Sequence, residues 1–221
     1  RWIAQDTEYD NLGRNKRSSE PFYLSDTMYW TNVDYDLLGR PIQVTLPDSS
    51  LSTTSYAGLN TTVTNDLNHT RTEKKNALGE TVEVIDNQGN STLYAYDPLG
   101  NMETMTDSDG NVTTITYDLL GRKDTMNDPD KGYWLYHYNA FGELTTQDNA
   151  NGQSSDMSYD LLGRLVIRSD YQTNIMIEAE TFWTYQNATN PSLSGLAQLT
   201  QVEKTDGLNT DFSQVLSYDS Y

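Results

Sequence analysis

The sequence predicts an all-β fold: a repetitive antiparallel β-hairpin meander of about 21 residues per repeat, laid out as a curved strip. Three observations carry this. The hexapeptide YDLLGR occurs at Tyr35–Arg40, Tyr117–Arg122 and Tyr159–Arg164, with near-copies at Tyr9–Arg14, Tyr96–Asn101 and Tyr138–Glu143. The motif glycines Gly79, Gly100, Gly121, Gly142 and Gly163 stand 21 residues apart, and Tyr96, Tyr117, Tyr138 and Tyr159 keep the same step. Midway between copies lies a second cluster of turn residues, as in Asp86–Asn90, Asp107–Asn111, Asp128–Gly132 and Asp148–Gly152. A fixed period of this length marks a repeat architecture.

The segments between turns read as strands. Val112–Tyr117 puts Thr113, Ile115 and Tyr117 on one face; Tyr133–Tyr138 does the same for Trp134, Tyr136 and Tyr138, with His137 on the other. Pro41–Leu46 is expected to align Ile42, Val44 and Leu46. This is period 2 in Thr, Val, Ile and Tyr, and no long 3.6-residue stripe competes with it. Asp and Asn open turns by bonding nearby backbone, and Gly takes the positive-φ position. In this reading Tyr35, Tyr96, Tyr117, Tyr138 and Tyr159 end strands facing inward and form a ladder along the sheet. The Leu folds back over the neighbouring Tyr. Gly39, Gly79, Gly100, Gly121, Gly142 and Gly163 reverse the chain, and the Arg begins the next strand.

Two early copies depart from the pattern. Tyr56–Asn60 (YAGLN) is degenerate, and the step from Tyr9 to Tyr35 is 26 residues. Residues 1–170 form the repeats. Residues 171–221 read as a longer, irregular hairpin with Ile175–Tyr185 as a strand, Asn187–Ser194 as an exposed loop and a further repeat opening at Tyr218. The whole reads as one continuous repeat domain, a piece of a larger protein.

Composition narrows the function. The chain of 221 residues is only 35% hydrophobic yet holds 16 Tyr and 4 Trp, so aromatics rather than aliphatics must be covered. A formal charge of −18 opposes nucleic acid and anionic membranes. No apolar run is long enough to insert in a membrane. Cys is absent and the two histidines, His69 and His137, lie far apart, which argues against zinc. No metal site is assigned; Asp107, Asp109, Asp128 and Asp130 are the calcium candidates by oxygen spacing, set against a plain reading as polar turns. No nucleophile elbow, zinc-protease helix or phosphate loop is present, so neither an enzyme nor a cofactor is expected.

Tyr-Asp followed by Leu-Gly-Arg at this period resembles the YD-repeat, or rearrangement-hotspot (RHS), family, clearly over residues 9–170. The resemblance implies a β-strip that spirals into a hollow shell. In bacterial toxin complexes and polymorphic toxins such a shell encloses a toxic C-terminal region; in teneurins a similar barrel sits outside the cell. The family's self-cleaving aspartyl site has no counterpart here: Asp97–Gly100 fits the ordinary turn. The resemblance therefore implies a non-catalytic shell segment, secreted or at a bacterial cell surface. Its partners would be other shell segments or a toxin cargo, and the fragment would curl only partly or self-associate. The alternative is an extracellular carbohydrate-binding module that stacks sugars on exposed aromatics, with Trp134 and Trp183 the ligand candidates.

Overall fold

The computed structural model describes residues 2–172, 176–185, 199–205 and 210–215. Every regular element among them is a strand. The chain divides into two bodies, Arg1–Tyr96 with Met105–Asn111, and Asp97–Thr104 with Val112–Tyr221.

The N-terminal body opens with β1 (Ile3–Ala4), β2 (Thr7–Tyr9), β3 (Asn15–Ser19) and β4 (Phe22–Tyr23). It continues through β5 (Trp30–Tyr35), β6 (Pro41–Thr45), β7 (Leu51–Ala57), β8 (Asn60–Thr64), β9 (Thr70–Lys75), β10 (Thr81–Ile85) and β11 (Ser91–Tyr96). Strand β12 (Met102–Thr106) has residues in both bodies. Apart from a β1–β4 pair, each strand from β2 to β11 pairs antiparallel with its successor, β3 going directly to β5. The C-terminal body holds β13 (Val112–Tyr117), β14 (Lys123–Asp128), β15 (Gly132–Tyr138), β16 (Leu144–Asp148), β17 (Ser154–Tyr159), β18 (Leu165–Gln172), β19 (Met176–Tyr185), β20 (Leu199–Thr205) and β21 (Thr210–Val215). These also pair antiparallel in chain order. The expected loop at Asn187–Ser194 and the copy opening at Tyr218 lie outside the described residues.

Both kinds of turn share one geometry. In Asp118–Arg122 the Asp118 N–H donates to the Arg122 carbonyl and the Gly121 N–H donates back to the Asp118 carbonyl, at 2.9 Å each. The same pair of bonds closes 86–90, 107–111 and 149–153 on the other side of the strands. This is the three-residue hairpin loop, a type I turn followed by a left-handed residue. Motif glycines take φ between 74° and 87°. Ser49 and Asn68 fill that position in two copies, at φ 71° and 60°.

A β-bulge lies three residues past the motif glycine. Tyr117 pairs with Lys123 but Thr116 with Thr125, so Asp124 is extra. Lys16, Ile42, Val82, Thr145 and Val166 occupy the same place. The bulge has a clear purpose. Each turn joins a first residue to one four positions on, so cross-strand partners in both hairpins would keep the same parity. Side chains alternate faces, so a step of 21 would then send successive tyrosines to opposite faces. One extra residue per repeat restores them to one face. The degenerate copy tests this: its two-residue Gly58–Leu59 loop, with Ala57 opposite Asn60, changes the parity itself, and its ladder shows no register shift.

The bulge also corrects two expectations. Ile42 is the extra residue and Leu46 opens a turn, so both are exposed and only Val44 of the three is half-buried. The tyrosines do not stack straight across the sheet. Ile115 faces Met126, which faces Trp134; Tyr136 faces Gln147, which faces Ser155. The residue two strands away is thus 19 positions on, and equivalent tyrosines follow a diagonal.

Alternation itself is as expected: Thr113 and Ile115 are buried between exposed Val112, Thr114 and Thr116. The core is nonetheless thin. Phe22, Ile115 and Ala179 are the buried apolar residues among those described. A single sheet is held by its ladders and cross-strand pairs, which makes the side-chain bonds between repeats important.

Candidate functional site

The repeated motif is a set of interlocking bonds. In Asp118–Arg122, Asp118 Oδ1 accepts the N–H groups of Leu120 and Arg122, and Oδ2 accepts Arg122 Nε and its second guanidinium nitrogen, all at 2.6–2.9 Å. Asp10, Asp36 and Asp160 do the same for Arg14, Arg40 and Arg164. The side-chain bonds from Arg122 and Arg164, then the backbone N–H groups, hold Asp118 and Asp160 below the usual carboxylate range. For Asp10 and Asp36 the backbone N–H of the arginine leads. In three of the turns that open with Asn the fifth residue changes to match, whereas the Asn65 turn has His69 in that place. Asn76 and Asn139 donate Nδ2 to Glu80 and Glu143 at 2.6 Å, and Asn149 donates to Gln153. An acid is paired with Arg or Asn, an amide with Glu or Gln. The near-copies are therefore chemical variants of one lock.

The Leu does not cover the Tyr. Leu37, Leu119 and Leu161 are wholly exposed, at 105%, 101% and 105%. The neighbouring leucines and Phe141 also stand in solvent. The Arg covers the Tyr instead, and in the next motif rather than its own. Arg14 lies 4.5 Å over the Tyr35 ring, Arg40 4.1 Å over Tyr56, Arg122 4.7 Å over Tyr138 and Arg164 4.5 Å over Tyr185. A cation over an aromatic face contributes about 0.5–1 kcal/mol at exposed sites. Arg122 also donates to the Asn139 carbonyl at 3.2 Å. Each arginine thus ties its own turn to the following one.

The tyrosine hydroxyl closes the repeat in the other direction. Tyr56, Tyr96, Tyr117 and Tyr159 donate to the carbonyls of Pro41, Thr81, Met102 and Leu144, each 15 residues earlier, at 2.8–2.9 Å. Tyr35 reaches back 20 residues to Asn15. Phe would fill the space but lose this bond, worth about 0.5–1.5 kcal/mol. Burial pushes the hydroxyl pKa of Tyr96, Tyr117, Tyr136, Tyr138 and Tyr159 upward. Tyr35, Tyr96, Tyr117, Tyr138 and Tyr159 are all half-buried, and His137 is exposed.

The calcium candidates serve turns. Asp107 accepts the N–H groups of Asp109 and Asn111 and the Asn111 side chain. Asp128 accepts Asp130 N–H, Lys131 N–H and the Thr113 hydroxyl. Among the described residues no group of three or more His, Asp or Glu is placed to hold a metal ion.

One depression interrupts the tyrosine face of the C-terminal body. The row Tyr136–Gln147–Ser155–Asp170–Ala179 runs straight across five strands. Its small members leave a groove of about 490 Å³ beside Trp134, lined also by Asn149, Arg168, Asp170 and Lys204. Trp134 stacks on Tyr136 at 6.5 Å and donates Nε1 to the Lys131 carbonyl. Trp183 sits opposite Val202 and does not line the groove, so the two candidate tryptophans are not brought together.

Residues 76–112 and 138–172 match the RHS Repeat family. No curated protein matches the chain. The solved TcdB2-TccC3 superposes with TM-score 0.69 at 18% identity, covering 92% of this chain and 12% of that one. TcdB2-TccC3-Cdc42 gives 0.69 at 17%, covering 97% and 14%. The Tc holotoxin pore of Photorhabdus luminescens gives 0.68 at 18%, covering 92% and 12%. The chain therefore spans 12% to 14% of the length of these structures, and the likeness is one of fold. The two matched segments are similar to the RHS repeat family, and the lock, bulge and tyrosine bond that they carry recur outside them.

Proposed function

We propose that the chain is a wall segment of a secreted or cell-surface bacterial RHS protein, where it helps to enclose or present a C-terminal toxin or effector. One observation carries this: the repeated polar groups have their partners inside the strip. Asp bonds its own turn, Arg spans to the next motif and Tyr bonds back to the previous strand. Such groups build a surface and leave no repeated nucleophile or base for chemistry. The segment is non-catalytic in this reading, needs no cofactor, and meets other shell segments or the cargo. The test is limited proteolysis of the full-length protein that carries this segment. The region beyond the repeats is expected to resist digestion, and to become sensitive when Tyr117→Ala and Tyr159→Ala are combined. Equally fast digestion of that region in the unaltered protein would end the enclosure reading.

A second reading rests on the groove. A tryptophan beside amides and a mixed pair of charges is the kind of surface on which a sugar ring stacks and bonds. If glycans bind there, Trp134→Ala abolishes glycan-array signals while Trp183→Ala leaves them intact. Loss with Trp183→Ala alone would move the site elsewhere.

A further inference from the structure

We propose that the groove beside Trp134 takes an oligosaccharide with one carboxylate, its neutral part stacked on Trp134 and the carboxylate held by Arg168 and Lys204. The inference rests on the sugar-binding reading of the groove and names the class of sugar. The groove lies on the face of the sheet. Further repeats of a single sheet add strands at its edges and leave its face open, so this is no seat for more of the strip.

The lining is in place before any ligand arrives. At the β15 end, the Trp134 ring is held by its bond to the Lys131 carbonyl at 3.1 Å and is inclined by only 18° to the Tyr136 ring. A ring fixed in advance stacks on a sugar at little entropic cost. In the middle, Asn149 donates to Gln153 at 2.8 Å, while the half-buried Gln147 amide bonds no other described side chain. An amide both donates to and accepts from hydroxyls. On β18, Asp170 Oδ1 accepts Arg168 Nε at 2.8 Å and the Ser155 hydroxyl at 2.6 Å, and a second guanidinium nitrogen donates to Ser155 Oγ at 3.3 Å. These bonds fix the guanidinium and leave its third nitrogen without a partner among the described residues.

Charge selects the ligand. Arg168 and Asp170 cancel as a pair. Lys204 is exposed and has no ion pair among the described residues, so the groove carries a surplus of one positive charge. The chain as a whole stands at −18. One local cation attracts a single carboxylate, whereas a sugar with many charges meets repulsion from the rest of the surface. Distance sets the length. Arg168 and Lys204 stand on β18 and β20, three and five strands from Trp134. That is roughly 14–24 Å along the sheet, so the stacked ring and the carboxylate belong to different sugar units. A volume of about 490 Å³ is that of a small-ligand site.

The test is calorimetric titration of the 221-residue chain with a tetrasaccharide ending in glucuronic acid, one ending in sialic acid, and the carboxyl-reduced form of each. An acidic form should bind about tenfold more tightly than its reduced form, and which of the two does so identifies the source of the carboxylate. Lys204→Gln should bring that acidic sugar to the affinity of its reduced form, and Lys204→Arg should keep the preference. Lys75→Gln makes the same change of net charge in the other body and should leave the preference as it was. Trp134→Ala should abolish binding of both forms. A sulfated tetrasaccharide with several charges should bind more weakly than the one-carboxylate sugar. Equal affinity for acidic and reduced forms, a preference that survives Lys204→Gln or falls as far with Lys75→Gln, or tighter binding of the sulfated sugar would each overturn the carboxylate assignment and leave the sugar reading standing. No binding of any of these sugars would overturn both.

Discussion

The two rims of the C-terminal body are built on similar tight turns and present opposite surfaces, although the left-handed residue stands fourth in 149–153 and fifth, at Gly132, in 128–132. At both, the first residue accepts backbone N–H groups and the backbone reverses through a left-handed residue. At the motif rim the second and third positions are leucines or Phe141, with Pro98 and Ala140 beside them. At the other rim the same positions hold Pro129, Asp130, Ala150 and Asn151. A type I turn makes little demand on its two central residues beyond helical-like angles. The polar rim demonstrates that apolar residues are not needed there. The large apolar residues of the motif rim are therefore no demand of the turn itself, whereas its first and fourth positions are.

The comparison is broken most strongly at the glycines. Gly132 belongs to the polar rim, at φ 71°, and a Cβ there would come 2.4 Å from Ala150 Cβ in the next turn. Gly142 of the motif rim has only the end of Arg122 within 4 Å, at 3.9 Å. A left-handed Ala costs about 1–2 kcal/mol, and the clash adds about 1–3 kcal/mol more at Gly132. Thermal unfolding should show Gly132→Ala losing clearly more stability than Gly142→Ala. Equal losses would mean that adjacent turns of the polar rim are not packed as described.

The lock at the first and fifth positions comes next. Asp118→Asn keeps the acceptor for two backbone N–H groups but faces Arg122 with a neutral amide. Melting should fall by several degrees. Adding Arg122→Glu recreates the pair found at Asn139 and Glu143 and should restore part of the loss, though not the cover over Tyr138. The single variants must both be worse than the double for the exchange to hold. Acid should act on both rims together. Asp118 and Asp160 at one rim, and Asp107 and Asp128 on the other turns, have carboxyls held below the ordinary range. A lowered folded-state pKa contributes stability that is complete above the unfolded value, near 4, and is lost as pH falls through the folded one. Circular dichroism should therefore be flat from neutral pH down to about 4 and decline below it. Loss of strand signal well above that range would assign acid sensitivity to other groups.

Much of this was legible in the residues, and the parts that were not share a cause. The period, the positive-φ glycines and the strands between Gly79 and Gly163 follow from local patterns, because turns and alternation are local. The exchange of Asp118/Arg122 for Asn139/Glu143 was also readable within the one sequence, as covariation among its own repeats. The bulge at Asp124 was concealed, since it shows only when the parity of both hairpins is compared with an odd repeat. The sequence points to Leu as the cover of Tyr138, where the structure has Arg122, because the nearest apolar residue in sequence is not the nearest in space. Two strands separate neighbouring motifs, and a long guanidinium spans that gap. The groove depends on Ser155 and Ala179 falling in the row of Tyr136, 19 and 43 positions along. A period of 21 alone would not place them there.

Within the repeat, the tyrosine hydroxyl is a smaller test than the glycines. Tyr117→Phe removes the bond to the Met102 carbonyl and leaves the ring, so about 1 kcal/mol of stability should be lost. Titration at alkaline pH gives the complementary measurement. Burial raises Tyr117 and Tyr159, so the stability they contribute is full below the unfolded value near 10 and disappears as pH rises through the folded values. A tyrosinate absorbance that appears in one step at the ordinary pKa would deny that these hydroxyls are covered.

The smallest expected effect on folding is at the leucine tips. Leu120 is 75% exposed, and the lock uses only its backbone N–H, which Ser supplies equally well. Leu120→Ser should leave the stability of the chain within about 0.5 kcal/mol of the parent. Melting curves that superimpose would place the leucine outside the forces that hold the strip together. A large loss would assign it to the strip, and the sequence expectation that Leu packs on its neighbouring Tyr would regain its footing.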